Sequence, residues 1–249
     1  MSSVPMIMFT LIASIIIAVL GYGWWWHRHG GGKAAREQEA AESRRRGPRL
    51  QMHGWRYDPT HDGDIRYRVN GTSPGGIAWT VEYDCDHSSS SSSPRLTFIA
   101  PELAAEEDEW VLMDRWSFDI SRKGVGGAMI GGVSALGVVF SKVFARRRDF
   151  YLNASERPVG TPALRERFVV IAESSLYDAL IDADAEARIL VWPPFKQSMS
   201  RLDNCLSAGC GEKGVQVKLY VDGPSVDVIE QVVRLGEALA DATKRAAQG

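Results

Sequence analysis

Three cysteines and one histidine are the residues of this chain best suited to binding a metal ion. One residue separates Cys85 from His87, and four separate Cys205 from Cys210. Together they supply three thiols and an imidazole, the ligand count of a structural zinc site. Neither pair has the usual Cys-x2-Cys spacing and the pairs lie far apart in sequence, which favours three unlinked cysteines, two of them in surface loops, and no bound metal. The odd, sparse cysteine count gives no disulfide framework and is typical of a reducing compartment.

The sequence patterns of catalytic and phosphate-binding sites are also missing or incomplete. His87 precedes six serines, 88–93, but the Gly-x-Ser-x-Gly turn that presents a catalytic serine is absent. Acidic residues 106–109 could bind a cation, although such a run is more often a solvated loop. The glycine-rich stretch 124–132 lacks the lysine of a phosphate-binding loop. The sequence therefore identifies no catalytic residue and no cofactor.

Tryptophans offer a further candidate for a ligand pocket. Trp79 and Trp116 lie in phase with the apolar positions of predicted strands, so core packing is the favoured interpretation for them. The tryptophans considered are Trp79, Trp110, Trp116 and Trp192.

Charge is distributed unevenly along the 249 residues. The net charge is −2 overall, but residues 27–50 carry seven Lys/Arg against three Glu. The rest of the chain is therefore mildly acidic, which argues against nucleic-acid binding because that function needs a basic face.

The longest apolar run predicts a membrane anchor within residues 1–26. Residues 6–26 contain no charged side chain, and as a helix they would extend about 31 Å, close to the ~30 Å hydrocarbon core of a bilayer. A cleaved signal peptide is disfavoured because no Lys or Arg precedes the run and three tryptophans occupy the expected cleavage zone. The predicted membrane-embedded side chains are Ile7, Phe9, Leu11, Ile12, Ile15, Ile16, Ile17, Val19, Leu20, Tyr22, Trp24, Trp25 and Trp26.

A basic linker, residues 27–50, follows the anchor. Positive charge on one side of a span places that side in the cytoplasm. Basic residues near the surface also attract anionic lipid by about 1 kcal/mol each, although a role in setting orientation alone is the favoured interpretation. The predicted headgroup contacts are Arg28, Lys33, Arg44, Arg45 and Arg46, with Arg146, Arg147 and Arg148 from a later segment.

That later segment, residues 122–148, has an unusual composition. Residues 124–141 contain six glycines and no charge, and basic residues flank them on both sides. A second span would have about the minimum length and would carry Arg146, Arg147 and Arg148 to the wrong side of the membrane. If residues 124–141 formed an ordinary loop, their apolar side chains would be exposed to water. We therefore expect this segment to lie in the membrane interface or against the body of the protein.

The remaining residues predict an α+β fold. Alternating apolar residues in 51–121 predict a small antiparallel sheet that includes a hairpin around 70–76 and a fifth strand at 116–120. Residues 149–249 predict strand 167–172, a helix from Ser174 or Ser175 to about 187, strand 215–221, and a long amphipathic helix capped by Ser225. We expect the two parts to share one core because neither alone has two apolar layers.

This order of elements behind an N-terminal anchor resembles that of membrane-anchored bacterial proteins that carry a domain of unknown function. The resemblance is one of layout and implies a bacterial membrane protein. We therefore interpret the chain as a single-pass protein of the bacterial inner membrane with its body in the cytoplasm. Its expected role is non-enzymatic, the binding of a membrane protein partner or of the lipid bilayer. The alternatives are a membrane-tethered hydrolase with an unidentified active site and a two-span protein that uses residues 124–141.

Overall fold

The computed structural model describes residues 41, 44–59, 65–84, 94–106, 109–115, 118–119, 155–172, 174–193, 196–197, 202–203 and 205–248. The chain divides into two compact units, Met1–Arg49 and Leu50–Gly249. In the first unit, the described residues 41 and 44–49 are helical.

Several predicted features lie outside the described residues, namely the anchor 6–26, Arg28, Lys33, the glycine-rich segment 124–141 and Arg146, Arg147 and Arg148. None of the helices in the part of the chain that the structure describes has both the length and the apolar character required to cross a membrane.

The second unit is built on a large antiparallel sheet. Nine strands of the described residues pair in the order β1-β2-β3-β4-β11-β10-β5-β7-β6, and β8 and β9 form a separate two-stranded ribbon. The strands are β1 (Arg56–Asp58), β2 (Ile65–Thr72), β3 (Ala78–Asp84), β4 (Arg95–Ala100), β5 (Trp110–Asp114), β6 (Ser155–Arg157), β7 (Phe168–Ala172), β8 (Lys196–Gln197), β9 (Leu202–Asp203), β10 (Leu206–Gly211) and β11 (Gly214–Tyr220). The predicted α+β class with an antiparallel sheet is confirmed.

The C-terminal hairpin β10–β11 lies in the middle of this sheet. β11 pairs with β4, from Val215 opposite Ala100 to Tyr220 opposite Arg95, and β10 pairs with β5 on its other side. Strands from both predicted parts of the body therefore alternate in one sheet. The prediction of a shared core is confirmed, because one buried cluster contains side chains from both parts.

A long C-terminal helix, α3 (Val226–Gln248), covers one face of the sheet. It begins as predicted, since the backbone N–H of Val228 donates to Ser225 Oγ at 3.3 Å. Ile229, Val232, Val233, Leu235 and Leu239 are all buried, as the apolar periodicity predicts. The helix approaches β4 closely because Gly236 has no side chain, and a Cβ built there would lie 2.5 Å from ring carbons of Phe98.

Two shorter helices pack beside α3 on the same core. α1 (Pro162–Arg167) begins at the cap Thr161, whose N–H and hydroxyl both donate to the carboxylate of Glu186 in α2 (Ala183–Leu190). The helix predicted from Ser174 or Ser175 to 187 is instead divided, with a 3-10 turn at Ser175–Ala179 before α2. α2 begins directly after Asp182 because the carboxylate of Asp182 accepts a hydrogen bond from the N–H of Ala185 at 2.9 Å and so caps the helix.

The described residues of the range 116–120 do not form the predicted fifth strand. Arg115, Phe118 and Asp119 are helical, and Trp116 and Ile120 lie outside the described residues. Phe118 packs into a second, smaller buried cluster with side chains of β5 and β7. We call this set the β5–β7 cluster; its members are Val111, Met113, Phe118, Val169 and Ile171.

Candidate functional site

The structure separates the cysteines that the sequence suggests as metal ligands. Cys205 immediately precedes β10 and Cys210 is near its far end, so the two lie about 16 Å apart at ~3.3 Å per residue. Zinc–sulfur bonds measure about 2.3 Å, so both thiols cannot bind one zinc ion. Cys85 and His87 lie outside the described residues, among which no group of three or more His, Cys, Asp or Glu side chains has a metal-binding arrangement.

Both described cysteines are buried, Cys210 in β10 and Cys205 just before it, whereas the sequence predicts two of the three in surface loops. The thiol of Cys210 donates to the carbonyl oxygen of Leu103 at 3.3 Å. Burial and, to a smaller extent, the negative charge of Asp114 raise the pKa of Cys205 to about 12. A thiol with so high a pKa is a poor nucleophile at neutral pH, because only the thiolate reacts.

The acidic loop 106–109 makes a structural contact through Glu109. Its described residues belong to no group of side chains that could hold a metal ion. Glu109 accepts a hydrogen bond from the Tyr177 hydroxyl at 2.5 Å. Burial first, and Glu109 second, raise the pKa of Tyr177 above its ordinary value. This contact ties the loop before β5 to the 3-10 turn that precedes α2.

The serines 88–93 lie outside the described residues. Among the described residues, a different serine, Ser73, is paired with the carboxylate of Asp241. Ser73 Oγ donates to Asp241 Oδ1 at 2.8 Å and accepts from the N–H of Ile77 at 3.2 Å. The N–H of Gly75 donates to the other oxygen of Asp241 at 3.3 Å, and Lys244 Nζ donates to the carbonyl of Gly75 at 3.0 Å. These contacts hold the β2–β3 turn against α3. Sequence reasoning missed them because the partners are 168 residues apart.

The tryptophans that the structure describes serve the core. Trp110 Nε1 donates to Thr243 Oγ1 at 3.1 Å, and that hydroxyl donates to the carbonyl of Leu239 at 2.8 Å. Trp79 Nε1 donates to Glu237 Oε1 at 3.1 Å. Trp79, Trp110 and Trp192 are all buried, and Trp116 lies outside the described residues. Core packing, the favoured interpretation for Trp79, is confirmed.

Glu237 is the centre of a buried polar arrangement. Its side chain is only 7% exposed, and Arg234 Nη1 lies 3.4 Å from its second carboxylate oxygen. Burial raises the pKa of Glu237, and the hydrogen bond from Trp79 and the charge of Arg234 partly oppose that effect. The Arg234 guanidinium in turn lies 5.7 Å from the ring centroid of Trp55, against which His53 stacks at 4.8 Å. We call these residues the Glu237 cluster: His53, Trp55, Trp79, Arg234 and Glu237.

Buried carboxyl groups with raised pKa values occur at acid–base sites and also in purely structural networks. The contact of Glu237 with Trp79 joins α3 to β3, and its contact with Arg234 lies within α3, which is the pattern of a structural network. No sequence signal identifies it, since Trp79 and Glu237 are 158 residues apart.

Three of the residues predicted to contact headgroups lie among the described residues. Arg44 and Arg45 are exposed, Arg46 is half-buried, and the exposed Arg49 continues the same helical segment 44–51. Three exposed guanidinium groups within six residues give this segment a basic surface, which suits an anionic surface such as lipid headgroups.

Comparison with protein-family models, with curated proteins and with solved structures found no match to this chain.

Proposed function

We propose that this protein is a membrane-tethered binding module of the bacterial inner membrane. Residues 6–26 form its single transmembrane helix, and the α+β body lies in the cytoplasm. The uninterrupted apolar run and the basic residues that follow it support this proposal. The layout predicted from the sequence, which resembles that of membrane-anchored bacterial proteins, agrees with this proposal.

The observation that carries the proposal is the exposed basic surface of residues 44–49. Arg44 and Arg45 are exposed only about 20 residues after the apolar run. At that separation the guanidinium groups would lie within reach of the phosphate groups of the same leaflet. Each such group contributes about 1 kcal/mol toward an anionic surface.

Vesicle flotation tests the headgroup contact separately from the anchor. A chain lacking residues 1–26 should bind vesicles that contain phosphatidylserine and should bind pure phosphatidylcholine vesicles much less. Replacing Arg44, Arg45 and Arg46 by Gln should weaken binding by about 3 kcal/mol, or roughly 100-fold. High salt should remove the same difference, because it screens surface charge.

The matched control replaces Arg56, Arg165 and Arg245, which are also exposed, by Gln. This variant has the same net charge as the first and should retain most of the vesicle binding. Equal losses in both variants would mean that only overall charge matters, and an unchanged affinity in the first variant would reject the headgroup contact.

Crosslinking in native membranes tests whether the chain binds a protein partner. A tethered binding module should yield a defined crosslinked complex with the full-length chain. That complex should be lost when residues 1–26 are deleted, because the tether holds the body at the membrane. A complex that survives the deletion unchanged would contradict a role for the anchor in partner binding.

A further inference from the structure

The turn that follows the helical segment 44–51 exposes an apolar side chain. Met52 is 86% exposed, and Val191, at 63%, is the other large apolar side chain that the described residues leave exposed. A single exposed apolar residue is ordinary on a protein surface and needs no explanation by itself. The surroundings of Met52 therefore decide whether it has a role.

The helix before this turn has one buried side and one exposed side. Gly47 and Leu50 are buried, and Leu50 belongs to the main core cluster. Arg45 and Met52 are seven positions apart, a spacing that places both on the same side of a helix, and both are exposed. Pro48, which lies between them, is exposed as well. The exposed side therefore combines positive charge with an apolar side chain at its end.

Contacts on either side of Met52 hold the turn in place. The N–H of His53 donates to the carbonyl of Leu50 at 3.1 Å, and Gly54 has a positive φ of 78°, a conformation that commonly ends a helix. The imidazole of His53 lies against α3, where its Nε2 is 3.6 Å from an oxygen of Glu230. Met52 therefore reaches solvent from a turn that is fixed to the body, and it does not have to leave the core to meet a partner.

Positive charge beside an apolar side chain is the combination that binds an anionic bilayer surface. Phosphate groups attract guanidinium groups, and the acyl region directly beneath them accepts an apolar side chain. We propose that Met52 inserts into the bilayer interface while Arg44 and Arg45 contact headgroup phosphates. This inference rests on the proposed function, because the proposed anchor ends at residue 26 and keeps the turn within reach of the same leaflet.

Oxidation of the native Met52 side chain provides the first test. The full-length chain is reconstituted into vesicles of phosphatidylcholine with or without phosphatidylserine, and peroxide oxidation is followed by peptide mass spectrometry. Phosphatidylserine should slow the oxidation of Met52 about five-fold or more, because the interface covers the thioether. The matched control is Val191→Met, at the other exposed apolar position, and this methionine should oxidise at the same rate in both kinds of vesicle. Equal rates for Met52 in both would overturn the proposal.

A second measurement identifies what covers Met52. A photoactivatable diazirine amino acid in place of Met52 in the full-length chain should crosslink to phospholipid in vesicles that contain phosphatidylserine. Adding Arg44→Gln and Arg45→Gln should reduce that yield about five-fold or more, because the headgroup attraction is lost. The same amino acid in place of Val191 is the matched control and should give little lipid crosslink.

The outcomes separate this proposal from the proposed function. A chain that inserts into the vesicles but gives no lipid crosslink from position 52 would overturn the insertion of Met52 and leave the anchor intact. Crosslinks from position 52 in native membranes to protein alone would do the same. A full-length chain that does not associate with the vesicles would overturn both.

Discussion

Glu237 shows how a single buried carboxyl group can make stability depend on pH. Its pKa is raised above the ordinary 4.5, with burial as the main cause. The folded state therefore binds the proton more tightly than the unfolded chain does. This group stabilises the fold fully below the ordinary pKa, and the contribution is lost as pH rises through the folded-state value.

We expect Glu237→Gln to remove this dependence, because Gln is neutral and its carbonyl oxygen can still accept from Trp79 Nε1. The melting temperature of the variant relative to wild type should be higher at about pH 8 than at about pH 4. Thermal denaturation at the two pH values measures the difference. Glu237→Ala is the control: it removes the same titration and also leaves the Trp79 indole unpaired, so it should be about 1–3 kcal/mol less stable than the Gln variant at both pH values. A Gln variant that differs equally from wild type at both pH values would contradict the expected titration.

Cys205 should be chemically inert in the folded chain. A rise in pKa from 9.0 to about 12 lowers the thiolate fraction at neutral pH by about 1,000-fold, and burial restricts access further. Maleimide should therefore leave Cys205 unmodified in the native protein and modify it fully in denaturant. A cysteine introduced by Met52→Cys, at an exposed position, provides the matched control in the same chain. Labelling of Cys205 at the rate of that control in a folded sample would show that the thiol is accessible and activated.

At the scale of elements, the contact between α3 and β4 depends on a glycine. Gly236→Ala should gain about 1 kcal/mol of helix propensity, but the added Cβ would lie 2.5 Å from ring carbons of Phe98. Overpacking a core typically costs about 1–3 kcal/mol, so we expect a net loss of stability. Denaturant unfolding measures the loss. Adding Phe98→Leu should recover part of it, since the smaller side chain gives the new methyl group space, and a Gly236→Ala variant more stable than wild type would contradict the close contact.

Elements with a strong local pattern could be predicted from the sequence. The β2–β3 hairpin and α3 have clear periodicity, and Ser225 marks the start of the helix. β10 was missed because Leu206–Gly211 consists mostly of small residues without apolar alternation. It is a strand because β11 and β5 pair with both of its edges, which is information that only the assembled sheet contains.

The polar contacts could not be predicted for a related reason. Glu186 and Glu237 resemble ordinary surface residues of amphipathic helices, and their partners Thr161 and Trp79 are 25 and 158 residues away. Only tertiary structure brings them together. The structure adds one fact that the sequence could not supply, namely that Cys205 and Cys210 are too far apart to share a metal ion.

At the scale of the whole molecule, the proposed anchor makes a prediction about location. Placing an arginine in the middle of the apolar run by Ile16→Arg should cost about 3 kcal/mol on insertion and shift the chain out of the membrane fraction. Ile16→Leu is the matched control and should not. Membrane fractionation followed by immunoblotting measures the distribution, and retention of the arginine variant would contradict a span at residues 6–26.

Orientation is tested independently of insertion. Seven basic residues lie in residues 27–50, directly after the apolar run, so the C-terminal body should lie in the cytoplasm. An alkaline phosphatase fused to the C-terminus should then be inactive in a bacterial host, because the enzyme needs an oxidising compartment to form its disulfides. Strong phosphatase activity would place the body on the other side.

The central position of the C-terminal hairpin has a consequence for synthesis. The ribosome adds about 90 residues between Asp114 and Leu206, which takes about 5–18 s at 5–20 residues per second. Throughout this interval the nascent chain lacks β10 and β11, which lie between β4 and β5 in the finished sheet and pair with their edges. Open edges of this kind are templates for association with other chains. Premature termination before residue 206 therefore removes the middle of the sheet rather than a peripheral tail, and we expect such products to be degraded or to aggregate instead of retaining part of the fold.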